Sequence, residues 1–232
     1  MALKKTFQRV GRIALRVFII LFVAQLIYIL LLKWFDPPIT YTQLSSWIKG
    51  DGLNRDYITY KDMSANIRLA VIASEDQLFP DHNGFDIASI KEALTTKDKR
   101  WKRTRGASTI SQQVAKNVFL GQGRTWLRKG LEVYFTFMIE LVWGKARILE
   151  MYLNVSEMGK GVFGIEAASR YYFHKSAKKL SRYEAASIAA CLPSPKRYRV
   201  NPPSNYVVQR SEQIVGQMNN LEPDEDIQKL LK

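Results

Sequence analysis

One cysteine, Cys191, is all this 232-residue chain has, so no disulfide can form within it. Histidine is nearly as scarce, with only His82 and His174. No internal repeat and no low-complexity tract is present, which sets aside solenoid and compositionally disordered readings. Runs that alternate apolar and polar residues are few, so strands are not expected to build the domain. Acids are missing from the first 35 residues, which carry Lys4, Lys5, Arg9, Arg12, Arg16 and Lys33. Those bases make much of the formal charge of +14 local; the remainder of the chain holds 29 bases against 21 acids.

After the basic start comes Ile13 to Leu32, 20 residues in which Arg16 and Gln25 are the strongly polar ones. About 20 apolar residues of helix cross the roughly 30 Å hydrocarbon core of a bilayer. Arg16 can snorkel back toward the interface. The basic flank predicts a cytoplasmic N-terminus, with everything past residue 35 outside. Tyr28, Trp34 and Phe35 suit the far interface, and Pro37-Pro38 stops the helix. A cleaved signal peptide would have an apolar core of about 7–15 residues and a small-x-small site; this core is longer and ends in L-L-L-K-W-F. The spacing therefore predicts a basic tail at 1–12, a single-pass anchor at 13–33, a linker at 34–59 and one domain at 60–232. About 195 residues beyond the anchor suffice for a real core.

Pro37, Pro38, Gly50 and the pair Asp51-Gly52 mark the linker, with one short helix expected around Leu44 to Ile48. Beyond it the apolar spacing is helical. Ser64 is placed to cap a helix running to about Ser74. Further helices are expected over Ser108 to Leu120, closed by Gly121, over Trp126 to Trp143, and over Ala146 to Val155. Ser181-Arg182-Tyr183-Glu184 is a capping box opening a helix that stops before Pro193. The domain reads as all-α.

Candidate chemistry begins where the Ser64 helix ends. Glu75 and Asp76 adjoin at its C-terminus, and Phe79 and His82 come soon after. A carboxylate there faces the negative end of the helix dipole, at a cost of roughly 0.3–1 kcal/mol. Asp76 adds like charge, and both effects move Glu75 in the direction a general base needs. On the helix from Ser108, Thr109, Gln113 and Lys116 fall within about 60° of one another, apart from the stripe of Ile110, Val114 and Val118. On the next helix Glu132, Thr136 and Glu140 form a stripe too narrow for a freely solvated face, with Arg128 and Lys129 beside Glu132. Surface polarity accounts for any one of these features; only their meeting in one cleft would make a site. Asp81-His82-Asn83-Gly84 fails as a calcium loop, because Phe79 and Ile90 stand where the first and twelfth ligands belong. The S-x-x-K matches at Ser46 to Lys49 and Ser176 to Lys179 lack the companion K-T-G or S-D-N.

Five stretches in order resemble the blocks of the glycosyltransferase family 51 peptidoglycan polymerases, specifically the membrane-anchored monofunctional biosynthetic type. They are E-D-x-x-F-x-x-H-x-G at Glu75 to Gly84, G-A-S-T-I-S-Q-Q-V-A-K-N at Gly106 to Asn117, R-K-G-L-E at Arg128 to Glu132, K-A-R-I-L-E-M-Y-L-N at Lys145 to Asn154, and A-A-C-L-P-S-P with Tyr198 and N-P-P at 201–203. Ala107 departs from a second glycine usual in the family. The resemblance implies a lysozyme-like helical domain that joins the disaccharides of lipid II into β-1,4-linked glycan. By position, Glu75 would be the general base and Glu132 the second, donor-side glutamate. Lys116, Arg124, Arg128 and Lys129 would surround the pyrophosphate. Asp76, Phe79, His82, Ser108, Thr109, Gln112, Gln113 and Asn117 would shape the cleft. The resemblance leaves a divalent cation, Mg or Mn, open, and implies as partners the growing glycan, membrane lipids and other proteins of wall synthesis and division. Its setting is the bacterial cytoplasmic membrane, with the domain on the outer face.

The basic run Lys97 to Arg105, with Trp101 inside it, is expected to touch anionic head groups, at about 1 kcal/mol per cation near such a surface. A lytic enzyme of the same fold is the rival reading, since a carboxylate base activates water as well as a sugar hydroxyl. A cationic cluster separates the two, because a glycosidase expels a sugar oxygen and has no pyrophosphate to neutralise. Nucleic-acid binding, suggested by a pI near 9.8, conflicts with a domain outside the cytoplasm.

Overall fold

The computed structural model describes residues 2–87, 91, 108–123 and 125–232. Arg124 and the basic run 97–105 lie outside them. The chain divides into two compact units, 1–36 and 37–232. The first is a single helix, α1 (Ala2–Leu31). Its stretch Gln8–Leu31 has a mean hydropathy of 2.6, long and apolar enough to cross a membrane. The helix itself runs back through the basic flank to Ala2, beyond the apolar run seen in the sequence.

The second unit opens with α2 (Tyr41–Ile48), longer than the expected 44–48 because Thr40 and Gln43 form a capping box. A two-residue strand, β1 (Asn54–Arg55), comes after it. Next is α3 (Ala65–Glu75), capped by Ser64, whose side chain accepts the Ile67 N–H. Every residue from Ile67 to Ala73 is buried, Arg68 included. A helix apolar on all sides runs through a core, and α3 is that helix here. Fully burying a side chain such as Ile67 or Leu69 contributes roughly 1.5–3 kcal/mol. Arg68 is tolerated because its guanidinium donates to the Leu230 carbonyl at 3.1 Å and stacks over the Tyr60 ring.

Among the described residues the remaining α-helices are α4 (Ile110–Ala115), α5 (Trp126–Val142), α6 (Lys145–Val155), α7 (Ile165–Phe173), α8 (Arg182–Cys191), α9 (Asn205–Leu221) and α10 (Glu225–Leu231). Helices α8 and α9 pack on α3, while α4 packs on α5 and α6. The helical class expected from the sequence holds, with one addition. β2 (Glu157–Gly159) and β3 (Val162–Phe163) join β1 in a sheet ordered β1-β3-β2, where β1 is parallel to β3 and β2 antiparallel. The Ser108-to-Leu120 helix is also two pieces. After Ala115 the chain widens into a π-turn, Lys116–Leu120, closed by the Gly121 N–H donating to the Lys116 carbonyl at 2.7 Å. Gly121 has φ 72°, and a Cβ there would lie 2.2 Å from the Tyr41 ring. Cys191 is a core residue: burial pushes its thiol up to about 12, and Sγ donates to the Met158 carbonyl.

Candidate active site

Glu75 is the last residue of α3, where Asp76 (φ −161°, ψ 80°) leaves the helix. The central helix thus delivers a carboxylate to the edge of the core. Its Oε2 accepts a hydrogen bond from Gln113 Nε2 at 2.8 Å. Gln113 is held in turn, since its Oε1 accepts from the Tyr152 hydroxyl at 3.3 Å. Tyr152 comes from α6 and is fully buried. An ionised carboxylate only accepts, so Glu75 takes the Gln113 NH2, and the Tyr152 hydroxyl steadies that arrangement by donating to the amide oxygen left on the other side. Burial pushes the Glu75 carboxyl above its ordinary value. The Gln113 hydrogen bond and the cations of Arg210 and Lys116 oppose that rise, and the Asp76 charge adds to it. Arg210, on α9, leans on the Ser74 carbonyl at 3.5 Å.

Asp76 is spent on the fold. Its Oδ2 accepts the Ile110 N–H at 2.9 Å, and both oxygens lie within 2.9–3.1 Å of His82 Nε2. His82 Nδ1 accepts the Gly84 N–H at 3.1 Å, so the ring proton is on Nε2 and donates to Asp76. Phe79 is fully buried, edge-on to His82 and beneath the Lys145 ammonium. Gly84 (φ 87°) lets the loop press onto α5, since a Cβ there would be 2.8 Å from Thr136 Cγ2. Asp76, Phe79 and His82 therefore bolt the Glu75 loop to the starts of α4 and α6.

Helix α4 corrects one expectation from helical spacing. Thr109 does not share an open face with Gln113 and Lys116. It is the N-cap, where the backbone is not yet helical, and it is buried. Its hydroxyl accepts the Gln112 N–H and donates to the Gly84 carbonyl at 2.7 Å, and the Gln112 side chain completes a capping box. Asn117 likewise faces the α2 side. Its backbone carbonyl accepts from Thr42 Oγ1 at 3.2 Å and its Oδ1 from Gln122 Nε2 at 3.3 Å.

Ser108, Gln112, Gln113, Lys116, Gln122, Gly123, Arg128, Lys129 and Glu132 line one cleft of about 240 Å³. Glu132 sits at its wall, 3% exposed. One carboxylate oxygen is 2.6 Å from Arg128 Nη1, and the other is paired with Lys129 Nζ. Arg128 Nε is buried without a hydrogen-bond partner among the described residues. Burial pulls the Lys116 ammonium below the ordinary lysine value, opposed by Glu132 and Glu75 and reinforced by Arg128 and Lys129. Lys116 therefore stands within electrostatic reach of both glutamates. The other members of the α5 stripe turn to structure. Thr136 donates to the Glu132 carbonyl, and Glu140 accepts from Ser111 and pairs with Lys145 at 2.8 Å.

Gln122, Gly123, Tyr152 and Arg210 belong to this neighbourhood without having been singled out in the sequence. Tyr152 lies in the fourth block and could have been named. Arg210 lies in no block, and only the packing of α9 on α3 brings it to Glu75.

A family model described as Transglycosylase matches residues 42–219 of this chain. The chain belongs to the transglycosylase family. It is similar to proteins named biosynthetic peptidoglycan transglycosylase from Yersinia pseudotuberculosis serotype O:3 (strain YPIII) and Yersinia pestis (strain Pestoides F). Each is 53% identical over 182 residues, 77% of this chain and 76% of the relative. In this transglycosylase the matched span takes in α2 through most of α9, and so all the cleft residues above.

Proposed function

We propose that this chain, a peptidoglycan glycosyltransferase of cell-wall synthesis, polymerises lipid II with Glu75 as general base and Lys116, Arg128 and Lys129 as the seat of the leaving pyrophosphate. The observation that carries the reading is the pairing of two unlike environments through one glutamine. Gln113 bonds Glu75 on one side and lines the cationic cleft on the other. Glu75 removes the proton of the acceptor GlcNAc 4-hydroxyl as that oxygen forms a bond to the anomeric carbon of the growing chain. The α-linked pyrophosphate leaves with the bonding electrons, the configuration inverts, and a β-1,4 bond results. A raised carboxyl is the better-matched base near neutral pH. Charge building on the pyrophosphate is stabilised by positioned cations. Arg128 and Lys129 line the cleft, and Glu132 keeps both in place.

A resident divalent cation does not fit the donor set. Glu132 has both oxygens paired with cations, and the described residues hold no group of three or more His, Cys, Asp or Glu side chains that could bind one. Lysine and arginine are the cations that the cleft itself offers the leaving group. The helix α1 anchors the chain in a membrane. We place it in the bacterial cytoplasmic membrane with its basic end in the cytoplasm and the domain outside, where the lipid-linked substrate is presented. The lytic reading is disfavoured by the cationic cleft, which has no leaving group to serve when a sugar oxygen departs.

Lipid II in a bilayer and finished glycan, supplied separately to the full chain, test this. Long glycan from the first and no cleavage of the second are expected. Glu75→Gln should make no polymer while still inserting in the bilayer; polymer from that variant would remove Glu75 from the role.

A further inference from the structure

The turn Lys116–Leu120 is the one place among the described residues where helical bonding widens to the π form. In an α-helix the Gly121 N–H would donate to the Asn117 carbonyl. Here it donates one residue further back, to the Lys116 carbonyl at 2.7 Å. The Asn117 carbonyl released by that shift is taken by the Thr42 hydroxyl, which donates to it at 3.2 Å. A carbonyl buried without a partner is costly, so the Thr42 bond is what the widened turn needs. Thr42 comes from the inner side of α2, which is polar: Thr42, Gln43 and Ser46 are buried, while Tyr41, Leu44, Trp47 and Ile48 are exposed. The Asn117 side chain closes the turn itself, its Oδ1 accepting from Gln122 Nε2 at 3.3 Å. On the other flank Phe119 stacks on Phe135 of α5, with ring centroids 4.5 Å apart.

We infer that Thr42 and Asn117 are positioning residues for the leaving-group seat, holding this turn wide so that Lys116 stays open to the cleft. Side chains on a helix lean toward its N-terminus, so the residue at i+4 covers the one at i. In an unbroken α-helix Leu120 would therefore lie over Lys116. The widened turn gives that place to Gly121, which has no side chain to cover anything. Its φ of 72° and the Tyr41 ring keep other residue types out. Lys116 does line the cleft, together with Gln122 and Gly123 from beyond the turn. Without the Thr42 hydroxyl, the Asn117 carbonyl is left to recapture the Gly121 N–H. That is the α-helical bond, and it brings Leu120 over the ammonium. Single π-turns inside helices are rare and concentrate at functional sites. The inference rests on the reading of Lys116 as a pyrophosphate-binding cation.

The test is the binding of undecaprenyl pyrophosphate to the full chain in detergent micelles. Thr42→Val keeps the branched shape and removes the donor, and it should weaken binding several-fold. Thr42→Ser keeps the hydroxyl and should bind as wild type does. Two further arms separate positioning from general damage. On a Lys116→Met background Thr42→Val should add no further loss, because the two residues act as one unit. Leu120→Ala combined with Thr42→Val should restore most of the binding, because it removes the side chain that comes to cover Lys116. An equal fold-loss from Thr42→Val with and without Lys116, or no recovery with Leu120→Ala, overturns the inference. If Lys116→Met binds as wild type does, the cation loses its role and the inference falls with that reading. If Lys116→Met binds weakly while Thr42→Val is unaffected, the inference alone falls. Thermal unfolding checks the fold of each variant. Where Thr42→Val does not fold, Asn117→Ala carries the same arms, since it removes the Gln122 acceptor and leaves Thr42 in place.

Discussion

Replacing Glu75 by glutamine should raise stability while abolishing turnover. Burial is the largest influence on this carboxyl and pushes it above its ordinary value, so the folded state holds the proton more tightly than the unfolded chain. Below the unfolded value both states are protonated and folding meets no penalty. As pH rises through the raised folded value, the charge must be carried in a poorly hydrated place and stability falls. At neutral pH wild type therefore sits on the destabilised side. Glutamine removes the charge and keeps an acceptor oxygen for Gln113. The neutral hydrogen bond is weaker than the charged one, by about 1 kcal/mol, but the cost of desolvating the charge outweighs it. The gain is read as a rise in Tm, on a scale of about 2–4 °C per kcal/mol for a domain of this size. Thermal unfolding of the full chain in detergent, wild type against variant, should show that rise at pH 7.5 and a smaller difference near pH 4.5. A destabilised variant, or a gain independent of pH, would refute the assignment of a half-buried, poorly hydrated carboxylate.

The same geometry predicts three further outcomes. Gln113→Ala removes the hydrogen bond that favours the Glu75 carboxylate, so the acid limb of kcat/KM should move to higher pH; a limb that stays put would detach Gln113 from the base. Tyr152→Phe should keep the fold, losing about 0.5–1.5 kcal/mol for one hydrogen bond, yet lower kcat with little change in KM. A pure KM effect would contradict its role of orienting the Gln113 amide. Gly121→Ala combines a left-handed φ with a Cβ 2.2 Å from the Tyr41 ring, and should cost about 1–3 kcal/mol by strain, read as a drop in Tm with the cleft variants as comparison.

Much of the fold is legible in the sequence because it depends on local chemistry. Ser64, Thr125 and Ser181 cap helices where hydroxyls precede apolar runs, and Glu184 closes the box expected of it. The cleft residues Gln113, Lys116, Arg128, Lys129 and Glu132 are each visible as polar positions on helices with an apolar face. What escapes depends on distance in sequence or on shortness. Strands of two or three residues have no period to detect, so the β1-β3-β2 sheet leaves no pattern. Thr109 looks like a member of the Lys116 face because spacing assumes a helix already begun, whereas it is the residue that begins it. Asp76 and His82 look like cleft groups; their hydrogen bonds to Ile110 and Gly84 make them struts instead. Arg210 lies 135 positions from Glu75, and nothing short of the α3–α9 packing joins them. Helix α2 hides its meaning in the opposite way: its pattern is amphipathic, but only burial reveals that the polar side is the inner one.

The most direct test of a base on one side and a leaving-group seat on the other is the binding of undecaprenyl pyrophosphate to the full chain in nanodiscs, compared across Glu75→Gln, Lys116→Met and Arg128→Ala. The pyrophosphate should bind Glu75→Gln as it binds wild type and should bind both cation variants far more weakly. Equal binding to all of them, or loss with Glu75→Gln alone, would contradict the account.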